Sequence, residues 1–206
     1  SDLEALLDAA VDVAVDFTHP DAVMAHARWF ADQRLPAVIG TTGLTAQDVE
    51  ELRGRAEAGA SVLISPDFSP AGVIYLHIGR IAARLLDEVE LFEVHPPGKA
   101  EAPSGTTVNT ARALARVRGG RPGSQTRSKE VVAGALGGVV DGIRLHAFRL
   151  TGAVGHEEMR FAHRGDTLTI STTSHRREAY AAGVILAVKA VRGRPGLTWG
   201  LEPLMG

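Results

Sequence analysis

A chain of 206 residues has room for one large domain or two small ones, and 45% apolar with 22% charged residues is the composition of an ordinary globular protein. A formal net charge of −2 gives no reason to expect nucleic acid or an anionic membrane as partner, and the absence of cysteine excludes disulfides, thiolate nucleophiles and cysteine-based metal sites. No apolar run approaches the ~20 residues of a membrane span, and Ser1-Asp-Leu-Glu4 lacks the basic start and apolar core of a signal peptide, so a cytoplasmic protein is expected.

With only two Trp and two Tyr, the core must be built from Val, Leu, Ile and Ala. Residues 3–10 read as a helix leading into a short β-branched strand over 11–16. Thr18 or Asp21 then caps an amphipathic helix through Phe30. Residues 36–40 read as a fully buried strand. Thr45-Ala-Gln-Asp48 has the form of a capping box opening a helix to about 58, and residues 60–65 form a third strand. Strands separated by helices of about ten residues indicate βαβ units and a parallel sheet.

The texture then changes. Residues 72–86 read as a long helix with apolar residues at Ile74, Ile78, Ile81 and Leu85, followed by a strand over 89–94. A helix over 107–117 runs into a polar linker over 118–128. Residues 143–150, 156–162 and 167–173 look like antiparallel strands, with Gly165-Asp166 as a hairpin turn, and 179–191 is an apolar helix. The expected fold is α/β: a truncated Rossmann-like parallel sheet domain from 1–68 and 180–206, and an α+β domain with a mixed or antiparallel sheet over 69–179.

The most informative stretch joins that strand to the helix after it: Glu93-Val-His95-Pro-Pro-Gly-Lys99-Ala-Glu101-Ala-Pro103-Ser104-Gly105-Thr106. It places an imidazole, an ammonium and the backbone donors of a helix N-terminus in one loop. His95 can give or take a proton near pH 7. Lys99 with the N–H groups near Ser104, Gly105 and Thr106 can grip a carboxylate or phosphate, although Pro-Ser-Gly-Thr is equally an ordinary N-cap. The other histidines carry less: His19 sits at a strand end, His26 and His77 on helical patterns, and His146 and His156 on strands. Arg176 or Arg177 remains open as a substrate contact. No histidine spacing suggests a metal site.

The stretch resembles the signature E-x-H-H-x-x-K-x-D-A-P-S-G-T of the 4-hydroxy-tetrahydrodipicolinate (dihydrodipicolinate) reductase family. Val15-Asp-Phe-Thr-His-Pro20, Gly40-Thr-Thr-Gly43 and Ser65-Pro-Asp-Phe-Ser69 resemble further segments of that family, and Arg194-Pro-Gly-Leu-Thr-Trp-Gly-Leu-Glu-Pro203 is similar to actinobacterial members. The resemblance covers nearly the whole chain in order and implies hydride transfer from NADPH or NADH to a cyclic imine with two carboxylates. His95 would be the general acid, Lys99 would compensate developing negative charge, and Ser104, Gly105 and Thr106 would clamp a substrate carboxylate. Gly40, Thr41, Thr42 and Gly43 would lie against the nicotinamide ribose. Phe68 would pack near the ring, with core packing as its alternative. It also implies a homo-oligomer, expected to be a tetramer formed through the second sheet.

Three departures qualify the resemblance. Pro96 replaces a second histidine that helps bind the substrate carboxylate. Asp67 stands where the family usually has Asn, replacing a donor and acceptor with an acceptor carrying charge. The opening G-x-x-G-x-x-G and roughly the first two βα units of the family are not in the chain. Either that portion has been removed, or the protein is a shortened relative acting without a nucleotide, as a lyase, isomerase or cyclase or as a non-catalytic binding protein.

Overall fold

The computed structural model describes residues 3–41, 43–124, 126 and 128–205, with Arg177 described in its backbone only. Short helix α1, Ala5–Asp8, buries nothing. The aliphatic runs without polar alternation become strands buried on both faces: β2, Ala37–Ile39, and β3, Ser61–Ile64. They lie in a parallel four-stranded sheet with β1, Ala14–Asp16, on one side and β9, Gly196–Trp199, on the other, in the order β1-β2-β3-β9. Sequence reading had no strand at β9.

Helix α2, Pro20–Asp32, packs on this sheet beside α3, Ala46–Ala56. The α2 cap is neither Thr18 nor Asp21. His19 takes the position, its ring accepting the Asp21 N–H, because Pro20 at the first helical position supplies the fixed φ that starts the helix there. The capping box of α3 forms as read: the Thr45 hydroxyl accepts the Asp48 N–H at 3.2 Å, and Asp48 accepts the Thr45 N–H at 2.8 Å. Helix α6, Ala181–Val191, returns to β2 and β3.

The chain divides into two compact units, residues 1–70 with 180–206 and residues 71–179. The second is built on a five-stranded mixed sheet in the order β5-β6-β4-β7-β8. These are β4, Glu88–His95; β5, Gly138–Val140; β6, Ile143–Arg149; β7, Gly155–His163; and β8, Asp166–Ser174. β6 does not neighbour β7, as consecutive antiparallel strands would. β4 lies between them, parallel to β6 and antiparallel to β7.

One face of β4 is covered by helices α4, Pro70–Leu85, and α5, Gly105–Arg118. Val89, Leu91, Met159 and Phe161 pack there with Tyr75, Ala82, Ala83, Ala111 and Leu114. The aliphatic row Ile74, Ile78, Ile81 and Leu85 of α4 stays exposed, and the small row with Gly72, Gly79, Ala82 and Ala83 is buried. Close packing decides this: a Cβ at Gly79 would stand 2.3 Å from the Met159 sulfur. The stretch after α5 is not a solvated linker throughout. Arg118 is buried, and its guanidinium donates to the carbonyls of Leu86 at 3.0 Å, Asp87 at 2.5 Å and Pro122 at 2.6 Å.

Candidate active site

The apolar inward row of β4, Val89 and Leu91, continues as Glu93, a fully buried carboxylate where the core pattern calls for another aliphatic residue. Glu93 Oε2 accepts the Ser104 N–H at 2.9 Å and the Thr107 hydroxyl at 2.7 Å, and Arg149 Nη2 lies 3.0 Å from Oε1. Burial pushes this carboxyl up, but the hydrogen bonds from Ser104, Thr107 and Arg149 outweigh it and hold Glu93 below its ordinary 4.5.

His95, next on the same row at the end of β4, places Nδ1 3.5 Å from Glu93 Oε2. Burial lowers its basicity. Glu93 opposes that, Lys99 and Arg149 add to it, and the net position lies below the ordinary imidazole range. Lys99 closes a turn, donating its N–H to the Pro96 carbonyl at 3.1 Å, and its ammonium lies 3.5 Å from Glu101. Pro96 adds no donor to this turn.

Ser104 is the N-cap of α5, its hydroxyl accepting the Thr107 N–H at 3.1 Å. With its own N–H committed to Glu93, Ser104 has no backbone donor left for a ligand. Gly105 is exposed and Thr106 half-buried, and their N–H groups, in the first turn, have no intrahelical acceptor. His95 and the start of α5 are therefore gathered around one carboxylate, Glu93, and Lys99 stands on the turn between them beside Glu101. Sequence reading quoted Glu93 without giving it a role and passed over Thr107, Arg149 and Glu157. The legible signal was a glutamate in the inward register of a core strand.

The residues read as a cofactor rim lie in the first unit, at the carboxyl ends of β1, β2 and β3, where open parallel sheets bind ligands. Asp16 is buried and organises them. It accepts from the Thr18 N–H at 2.9 Å, the Thr18 hydroxyl at 2.8 Å and the Thr41 hydroxyl at 3.0 Å, and pairs with His26 Nδ1 at 2.7 Å. His26 is thus a half-buried partner of Asp16. Burial raises the Asp16 carboxyl, and these hydrogen bonds bring it below 3.8.

Gly40 makes room for Phe17: a Cβ there would stand 2.1 Å from the Phe17 ring. Gly43 is required by its backbone, at φ +103°. Phe68 is 3% exposed and packs on Phe17 with ring centroids 5.2 Å apart, whereas Phe17 is 51% exposed. The aromatic surface this rim offers a nicotinamide ring is Phe17, and Phe68 lies in the core beneath it. Thr41 is buried, and Thr42 lies outside the described residues. An exposed ring beside polar strand ends fits the nicotinamide end of a dinucleotide. Burial pushes Asp67 above 3.8, against the N–H groups of Ser69 and Phe68 that hydrogen-bond it.

Elsewhere, a hollow of about 310 Å³ is lined by Val94, His156, Thr173, His175 and the 152–155 loop, where His156 Nδ1 lies 2.8 Å from the Thr173 hydroxyl. Among the described residues no cluster of His, Cys, Asp or Glu has metal-site geometry, and no helix is long and apolar enough to cross a membrane.

The family description "Dihydrodipicolinate reductase, N-terminus" matches residues 1–68, and "Dihydrodipicolinate reductase, C-terminus" matches residues 72–205. The 4-hydroxy-tetrahydrodipicolinate reductase of Mycolicibacterium vanbaalenii is 43% identical over 205 residues, which is 98% of this chain and 84% of that protein. Its counterpart in Mycolicibacterium smegmatis is 42% identical, covering 99% of this chain and 84% of the relative. Among solved structures, the dipicolinate-bound dihydrodipicolinate reductase from Paenisporosarcina sp. TG-14 superposes with a TM-score of 0.85 at 31% identity, over 99% of this chain and 78% of that one. Together with the site on β4 and α5, these matches show that the chain belongs to the dihydrodipicolinate reductase family.

Proposed function

We propose that this protein is an oxidoreductase that reduces 4-hydroxy-tetrahydrodipicolinate, the reaction named for its relatives, in lysine and diaminopimelate biosynthesis. The observation that carries this reading is the gathering of His95 and the α5 N-terminus around Glu93, with Lys99 on the turn between them. The neighbour from Paenisporosarcina holds dipicolinate, a planar dicarboxylate, and the N–H groups of Gly105 and Thr106, at the positive end of the α5 dipole, suit one such carboxylate. Lys99 offsets negative charge that develops as the ring is reduced, and His95, half-buried at the strand end, delivers the proton.

The cofactor is NADPH or NADH, and its nicotinamide supplies the hydride. Phe17 and the Gly40–Gly43 loop, including Thr41 and Thr42, would hold the nicotinamide end. The Asp16 network fixes the loop's shape through Thr41. A family member drawing on the nicotinamide pool belongs in the cytoplasm.

The assembly is a homo-oligomer, proposed to be a tetramer formed through the second sheet. The face of that sheet opposite α4 and α5 supports this. There Phe92 stacks on His146 with centroids 4.7 Å apart, and the Arg160 guanidinium lies 5.4 Å above the Phe92 ring. Edge strand β8 presents a row of Ser and Thr.

Calorimetric titration of the 206-residue chain with NADPH and with NADH, paired with intact mass, tests the reading. Micromolar binding supports it and ranks the two cofactors. No binding by a chain of matching mass would exclude reductase activity for this chain and return attention to His95 and Lys99 chemistry without redox.

A further inference from the structure

Around His95 stand Glu93 from β4, Arg149 from β6, Lys99 from the turn with Glu101 beside it, and, one hydrogen bond further, Glu157 from β7. We propose that Glu93 is the positioning residue of this site: its one buried carboxylate holds the proton donor His95 and the first turn of α5 in a single geometry and opposes the two cations, Lys99 and Arg149, that flank the imidazole. The inference rests on the reductase reading for what His95 does, but the geometry is independent of it.

Three contacts give Glu93 this reach. Its Oε2 fixes the Ser104 N–H and the Thr107 hydroxyl, and so the entry of α5, whose next N–H groups are those offered to a carboxylate. The same oxygen lies 3.5 Å from His95 Nδ1, too long for a good hydrogen bond but close enough for charge to act strongly in a buried site. The only ion pair on Oε1 among the described residues is with Arg149, at 3.0 Å. One carboxylate therefore ties the proton donor to the substrate clamp.

The Thr107 hydroxyl links this cluster to a further carboxyl group: it lies 2.7 Å from Glu93 Oε2 and 2.9 Å from Glu157 Oε1. Glu157 is thus one hydrogen bond further from His95 than Glu93.

The test reads the His95 ring directly by NMR titration, its signal assigned by its loss in His95→Ala, and does not require turnover. Glu93→Gln should make His95 titrate at lower pH than in the parent, since the group that opposes burial and the two cations is gone. Arg149→Met should move it to higher pH. Glu157→Gln, one hydrogen bond further from His95, should move the titration less than Glu93→Gln does. In steady-state assays Glu93→Gln should lower kcat roughly 10- to 100-fold, raise KM, and move the pH profile of kcat in the same direction as the ring. An unmoved His95 titration in folded Glu93→Gln overturns the proposal, as does a shift in Glu157→Gln as large as that in Glu93→Gln. Should Glu93→Gln fail to fold, Arg149→Met decides alone: an upward shift supports the proposal and none overturns it. A parent chain without turnover refutes the reductase reading and leaves the titration test intact.

Discussion

His95 carries the most specific expectation at the scale of single residues. Burial first, and then Lys99 and Arg149, set its protonation below the ordinary imidazole range, with Glu93 opposing. As the proposed general acid, His95 loses its proton as pH rises, so kcat should fall from mildly acidic toward neutral pH, along a limb lying below the usual histidine value. His95→Ala should cost roughly 10²–10⁴ in turnover with circular dichroism and thermal melting unchanged. Lys99→Ala should lower kcat/KM by roughly tenfold or more, as expected for a charge-assisted contact of about 1.5–3 kcal/mol; an unchanged kcat/KM would remove Lys99 from the reaction.

Asp67 carries a pH dependence of stability rather than of turnover. Its folded value is raised above 3.8 by burial, so its contribution to stability is complete below that pH and is lost as pH rises through the raised value. Asp67→Asn should therefore raise the neutral-pH Tm and leave the acid-pH Tm unchanged. If cofactor binds beside this strand end, the same substitution should tighten NADPH or NADH binding at neutral pH, which calorimetry would show.

Two contacts dominate at the scale of elements. The Thr45–Asp48 capping box fixes the start of α3, and Thr45→Ala should cost roughly 1 kcal/mol in urea unfolding. Arg118 fastens the end of α5 to the carbonyls that close α4 and open β4. Arg118→Met keeps much of the stem but leaves several buried carbonyls without a donor, and a loss of roughly 2–4 kcal/mol is expected. A loss below about 0.5 kcal/mol would mean that water replaces the guanidinium at no cost.

At the scale of the whole molecule, the proposed tetramer uses the face of the second sheet opposite α4 and α5 together with edge strand β8. Phe92→Glu on that face should shift the protein from oligomer to monomer in light scattering at micromolar concentration, with far-UV circular dichroism retained. A parent that is already monomeric under those conditions would refute the proposed tetramer.

Much of this protein is legible in the sequence because the signals are local. The aliphatic runs at 36–40 and 60–65 read as buried strands, Thr45 and Asp48 mark a helix start by themselves, and the segment from Glu93 to Thr106 carries the family resemblance in consecutive residues. What sequence order cannot supply is which strand lies beside which. β9 joins β3, and β4 enters between β6 and β7, through contacts between residues far apart in the chain. That placement brings Arg149 and Glu157 to Glu93, turns His26 toward Asp16, and puts Phe17 over Gly40 while burying Phe68. The charge on a buried carboxylate depends on every donor packed around it, so only the tertiary structure could give Glu93 a role.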